Sequence, residues 1–236
     1  MERLSRGLRV PGGRRVIATV RDSTMSTAAV RRRFAIWVYV ALGAASVAAA
    51  AMVLIAMGRT PWYRSGPFRL WTADAWGPQN SQQFTDPYTF THLTHGVVLY
   101  FLLRAAAGRL SVGGRGVLAV ALESGWEILE NTDMVIQRYR TATMALGYYG
   151  DSVVNSVGDI LACALGFMLA SRLPARLTVA LTIALEVILT VWIRDGLLLN
   201  VIMLVHPIEA VKIWQMGGVE RWHGGEAQSV RESWRG

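Results

Sequence analysis

The chain has 236 residues, 53% of them hydrophobic, with a mean hydropathy of +0.33 and a net charge of +8. That apolarity excludes an ordinary soluble domain and fits a small polytopic membrane protein. Cys163 is the lone cysteine, which excludes an intrachain disulfide and a thiolate metal cluster.

Residues 1–33 carry nine arginines against Glu2 and Asp22, so nearly all the net charge sits there. This stretch has no hydrophobic period and is expected to be a disordered basic tail. Its arginines read as composition plus a cytoplasmic topology signal, with no nucleic-acid surface behind them. Arg31-Arg32-Arg33 abuts the apolar run Phe34–Met57, long enough to span a bilayer as a retained anchor with the N-terminus inside. Gly58–Tyr88 is rich in Trp, Pro and Gly and reads as an ordered outer loop, with Trp62, Trp71 and Trp76 near the interface.

Phe90–Ala107 returns inward, Val117–Leu129 goes outward, Asn131–Gly150 forms an outer loop, Ser152–Leu173 goes back inward and Leu177–Ile193 crosses outward. Leu197–Val205 is too short to span alone and, with Ile208–Gln215 beyond Pro207, predicts a re-entrant or interfacial segment. The expectation is an all-α polytopic bundle of about five spans, with a transmembrane domain over 34–215 and a polar tail over 216–236. A sixth, kinked span is the rival count.

Acids interrupt this apolar pattern. Glu123, Glu127 and Glu130 fall within one narrow helical stripe, and so do Asp151, Asn155 and Asp159. An acid at the centre of a membrane helix costs roughly 2.5–3.5 kcal/mol, so each stripe must face protein or a wet cavity. The topology brings them together. His92 and His95, both stripes and Arg194-Asp195 all lie at the outer ends of their spans. Gly158, Ala162 and Gly166 share the stripe of the second set and predict close helix packing there.

Two chemical readings stand beside a structural one. Glu127, Asp151, His95 and Glu123 are candidate acid–base groups. Arg138, Arg140, Arg194, Asn155, Asp159 and Glu130 are candidate ligand holders, the arginines for an anionic headgroup. His92 and His95, one turn apart, would be metal ligands if there is a metal; no cofactor is specified. The structural reading makes the acids hydrogen-bonded glue between helices, partnered by Arg138, Arg140 or Arg194. No credible HExxH, P-loop, GxGxxG or serine nucleophile elbow occurs.

The segments WTADAWGPQNSQ, THLTHG, ESGWEILENT, QRYR, YYGDSVVNSVGD and IRDGLLLNVIMLVHP resemble an uncharacterised family of bacterial inner-membrane proteins, a domain of unknown function. The resemblance implies a multi-pass protein and no assigned activity. More distantly, the motif order looks like VanZ-type membrane proteins: an early His, a Glu-rich helix end, an Arg, then Asp-x-x-x-Asn-x-x-Gly. His95, Glu127, Arg138 and Asp151/Asn155/Gly158 take those places. The Asp-Lys pair before the family's His is absent at Thr91 and His92, and Glu130 stands where Gln is usual.

These readings lead to a bacterial inner-membrane protein with a polar His/Glu/Asp/Arg site at the outer leaflet, taking membrane lipid or a lipid-linked envelope substrate. The alternatives are a non-catalytic envelope scaffold and, third, a proton-coupled transporter, which would need polar groups in both bilayer halves.

Overall fold

The computed structural model describes residues 27–143, 145 and 147–223. The two expected tails therefore fall largely outside the described residues. The described parts of both are helical. Among the described residues there are eight helices and no strand: α1 (Thr27–Ala56), α2 (Thr89–Ala106), α3 (Val112–Glu130), α4 (Asp133–Ala142), α5 (Val153–Arg172), α6 (Ala175–Trp192), α7 (Leu197–Val205) and α8 (Glu209–His223). Phe34–Ala56, α5 and α6 are long and apolar enough to cross a membrane. Helices α2 and α3 match them in length, at 18 and 19 residues, but carry the histidines and glutamates. The expected loop Asn131–Gly150 is not all loop. Thr132 accepts a hydrogen bond from the Val135 amide and starts α4.

The bundle centres on α2 against α5. A Cβ on Gly96 would overlap the carbonyl oxygen of Cys163, and one on Gly166 the carbonyl oxygen of Leu93. Only missing side chains on both helices let the backbones meet, as in small-residue packing between membrane helices. Val97, Tyr100 and Leu103 of α2 share a core with Ala119 of α3 and Phe167 and Ala170 of α5. Helix α1 lies against α3, where the Tyr39 hydroxyl meets the Ser111 hydroxyl at 2.8 Å. The outer flanks of α1 and α6 expose Phe34, Trp37, Ile183, Val187 and Val191, the surface a lipid environment would cover.

The Trp-rich loop before α2 is folded into the bundle. Trp71 sits edge-on to Phe90 and beside Trp192, and Ala75 packs with Leu189 and Ile193. The loop also satisfies the start of α5, where Ser152, Val153 and Val154 donate their amides to the carbonyls of Ser81, Thr60 and Pro61.

Helix α7 packs against α4 and α2 and is held at both ends. Glu186 of α6 accepts from the amides of Leu197 and Leu198, at 3.3 and 3.2 Å. Arg138 of α4 donates to the carbonyls of Leu204 and Val205, at 2.8 and 3.3 Å. An anion at the first turn and a cation at the last both suit the helix dipole. This fixes the short segment that composition marks as re-entrant.

Candidate functional site

The start of α2, the end of α3 and the start of α5 lie at one end of the bundle. Their contacts gather the predicted histidines and acids there. Nδ1 of His92 and Nδ1 of His95 both donate to Oε1 of Glu123, at 2.7 and 2.9 Å. The two rings stand edge to face, 4.9 Å apart, and His95 stacks edgewise on Trp126. Oε1 of Glu127 lies 3.2 Å from Nδ1 of His92, and Oδ2 of Asp159 lies 4.0 Å from its Nε2. One imidazole thus faces three carboxylates from two helices.

Hydrogen-bond accounting divides this array in two. One half is satisfied. Asp151 accepts from Asn131 and from the Tyr148 hydroxyl, at 2.9 and 3.0 Å, while its own amide donates to Asn131 at 2.7 Å. Asn155 donates to the Gln83 carbonyl and to Asp86. Asp86 in turn accepts from the amides of Ser81, Tyr88 and Thr89 and so caps α2. Gly150, at φ +97°, makes the turn that delivers Asp151 to this network. Burial raises the Asp151 carboxyl to about 6, against the pull of its bonds to Asn131 and Tyr148.

The other half is unsatisfied. Both carboxylate oxygens of Glu127, Oε2 of Glu130, Oδ1 of Asp159 and the Ser124 hydroxyl are buried without a hydrogen-bond partner. Glu127 is 0% exposed and Asp159 is 3% exposed. A buried polar group in that state costs about 1–3 kcal/mol, more if charged, so an unsatisfied cluster calls for a partner. Two sets of ligand atoms lie within 4.8 Å of one another: His92, His95 and Glu123, and His92, Glu127 and Glu130.

A cavity of about 480 Å³ opens onto this cluster. His92, His95, Glu130, Asp151, Asp159 and Asp195 supply its ionisable wall, and Trp76, Tyr88, Trp126, Tyr139 and Tyr148 much of the rest. Among the described residues neither Arg nor Lys lines it. Ser81, at φ +61°, sits on its rim in a strained left-handed conformation.

The structure gathers most of the predicted residues. His92, His95, Glu130, Asp151 and Asp159 line the cavity, while Glu123, Glu127 and Asn155 lie directly behind them. Two of the three predicted arginines are committed elsewhere. Arg138 binds the end of α7, Arg194 donates to the Trp214 carbonyl and stacks on its ring, and Arg140 is not among the lining residues. The Arg194-Asp195 pair splits. Asp195 accepts from Tyr88 at 3.2 Å, faces the cavity and is raised to about 7 by burial.

Sequence reasoning missed Asp86, Asn131 and Glu186. Asp86 carried a signal, since an acid three residues before Thr89 marks a helix start. The partners of Asn131 and Glu186 are set by tertiary packing and left no local sign.

A family model for a protein of unknown function (DUF2585) matches residues 54–217, which contain every residue of the cluster. The chain is 49% identical over 166 residues to a UPF0314 protein of Paracoccus denitrificans, covering 70% of this chain and 86% of the relative. It is 47% identical over 178 residues to a UPF0314 protein of Sphingopyxis alaskensis, covering 75% and 94%. It is 45% identical over 187 residues to UPF0314 protein R03235 of Rhizobium meliloti, covering 79% and 94%. No solved structure matches the chain.

Proposed function

The chain belongs to the DUF2585 family of proteins of unknown function, and for this member we propose a membrane-embedded site for a lipid or lipid-linked envelope molecule. In this reading α2 and α3 span the membrane together with α1, α5 and α6, the N-terminus is cytoplasmic, and the cavity faces the outer leaflet. The VanZ-like order of His95, Glu127, Arg138 and Asp151 fits the same assignment.

The observation that carries the reading is the unsatisfied cluster of Glu130 and Asp159 in the wall of an aromatic cavity. Aromatic walls take an apolar body and a polar floor takes a headgroup, the usual composition of a small-molecule site. His95 and Glu123 form a bonded pair beside the cavity, placed to accept or return a proton at a bound hydroxyl. Arg138 and Arg194 play no part in holding the headgroup here, because their side chains brace α7 and α8.

A second reading, an envelope scaffold, draws on the satisfied half. The Asp86–Asn155 and Asn131–Asp151 links lock three helices and a loop whatever is bound.

The test is mass spectrometry of the full chain released from mild detergent. Wild type should retain a lipid at about one per chain, and Trp126→Ala should lose it with the helical signal intact. Equal lipid retention in both would remove the lipid-site reading and leave the scaffold.

A further inference from the structure

We infer that His92, Glu127 and Glu130 form a binding site for a divalent transition-metal ion of the zinc or manganese type. This deepens the site proposed above by naming what holds the polar group of its ligand.

Three observations carry it. The ligand atoms of the three residues lie within 4.8 Å of one another, near enough to close around a single ion with small side-chain shifts. Both oxygens of Glu127 and Oε2 of Glu130 are buried and accept no hydrogen bond. A cation can satisfy all three of these oxygens at once, whereas a single water donates two hydrogen bonds and a hydroxyl one. The third observation is charge. Glu123, Glu127 and Asp159 lie within 4.0 Å of His92. Glu130, Asp151 and Asp195 line the same cavity as His92, and among the described residues no arginine or lysine lines it. Burying that many acids without a cation is unfavourable.

The donor set is nitrogen and oxygen, which suits zinc or manganese. Glu123 holds the His92 ring through a 2.7 Å bond, the role that a supporting carboxylate plays behind a metal-ligating histidine. The competing triad of His92, His95 and Glu123 is less suited, since its carboxylate already accepts from both imidazoles while Glu127 accepts from neither. His92 and Glu130 also line the cavity, so an ion between them keeps a position open toward it. That resolves a mismatch of sign. An acid-lined cavity repels a phosphate or carboxylate headgroup, and a bound cation attracts it.

The experiment uses the full chain in detergent, stripped with chelator, then offered Zn²⁺ or Mn²⁺ alone and counted by elemental mass spectrometry. Wild type should take about one ion per chain, Glu127→Gln and Glu130→Gln about a tenth of that or less, and His95→Ala the wild-type amount. Thermal melting shows each variant folded, and the two single glutamine variants cover for each other if one fails to fold. No ion in wild type, full occupancy in folded glutamine variants, or loss confined to His95→Ala would each overturn the assignment. The count involves no lipid. A chain that takes the ion but retains no lipid supports this site against the lipid reading, and the reverse result does the opposite.

Discussion

Nδ1 of His92 donates to Oε1 of Glu123 across 2.7 Å, within a pair that is less than 9% exposed on either side. His95 uses the same oxygen, so this acid orders both rings. Glu123→Ala leaves two imidazole N–H groups without an acceptor, at about 1–3 kcal/mol for each unsatisfied group. The variant should melt well below wild type in detergent, and Glu123→Gln, which keeps one acceptor oxygen, should melt between them. Identical melting for all three would mean the pair orders nothing.

Asp151 and Asp195 give the protein a pH dependence. Burial raises their carboxyls from 3.8 to about 6 and about 7. The folded state then holds protons that the unfolded chain has released. Their contribution to stability is complete below the unfolded value near 4 and is lost as pH rises through about 6 to 7. Thermal melting should fall between pH 5 and about 8, and Asp151→Asn with Asp195→Asn should flatten the slope. A slope unchanged in the double variant would assign it to other groups.

Gly96 and Gly166 set the approach of α2 to α5, because a side chain at either meets backbone rather than a movable side chain. Overpacking of this kind costs about 1–3 kcal/mol or more. Gly96→Leu should abolish the folded bundle, and Gly96→Ala should lower its melting temperature. Gly125, with nothing within 4 Å of a built Cβ, provides the control, and Gly125→Ala should melt as wild type.

The fixed ends of α7 make a separate prediction. Glu186→Gln removes the charge at its first turn and Arg138→Ala the donors at its last, each worth about 0.3–2 kcal/mol. Amide exchange over Leu197–Val205 should speed up in both variants while that of α5 stays unchanged. Equal protection in all three proteins would show that packing alone holds α7.

Much of this arrangement is legible in the chain. Glu123, Glu127 and Glu130 at i, i+4 and i+7, and Asp151, Asn155 and Asp159 at i, i+4 and i+8, declare that α3 and α5 have a polar face, and Ser152 proves to be the N-cap of α5. Alternating topology then places His92, Glu127 and Asp159 at one end, where the fold also has them. What was not legible depends on contacts between distant segments. Asn131 looks like an ordinary helix-end residue until Asp151 meets it across 20 positions. Arg138, Arg140 and Arg194 looked available for a headgroup, since nothing local shows that Arg138 would meet the carbonyls of α7 or Arg194 that of Trp214. The loop before α2 has no hydrophobic period, so its place inside the bundle could not be read from pattern.

The measurement that bears most directly on the central claim is lipid retention by Asp159→Asn, set beside its melting temperature. Asp159 lines the cavity, and its Oδ1 has no partner. A ligand site predicts that the bound lipid is lost while the melting temperature holds or rises, because a buried acid with one unsatisfied oxygen has been neutralised. Lipid retained at the wild-type level alongside a lowered melting temperature would contradict the account and leave the cluster as structural glue.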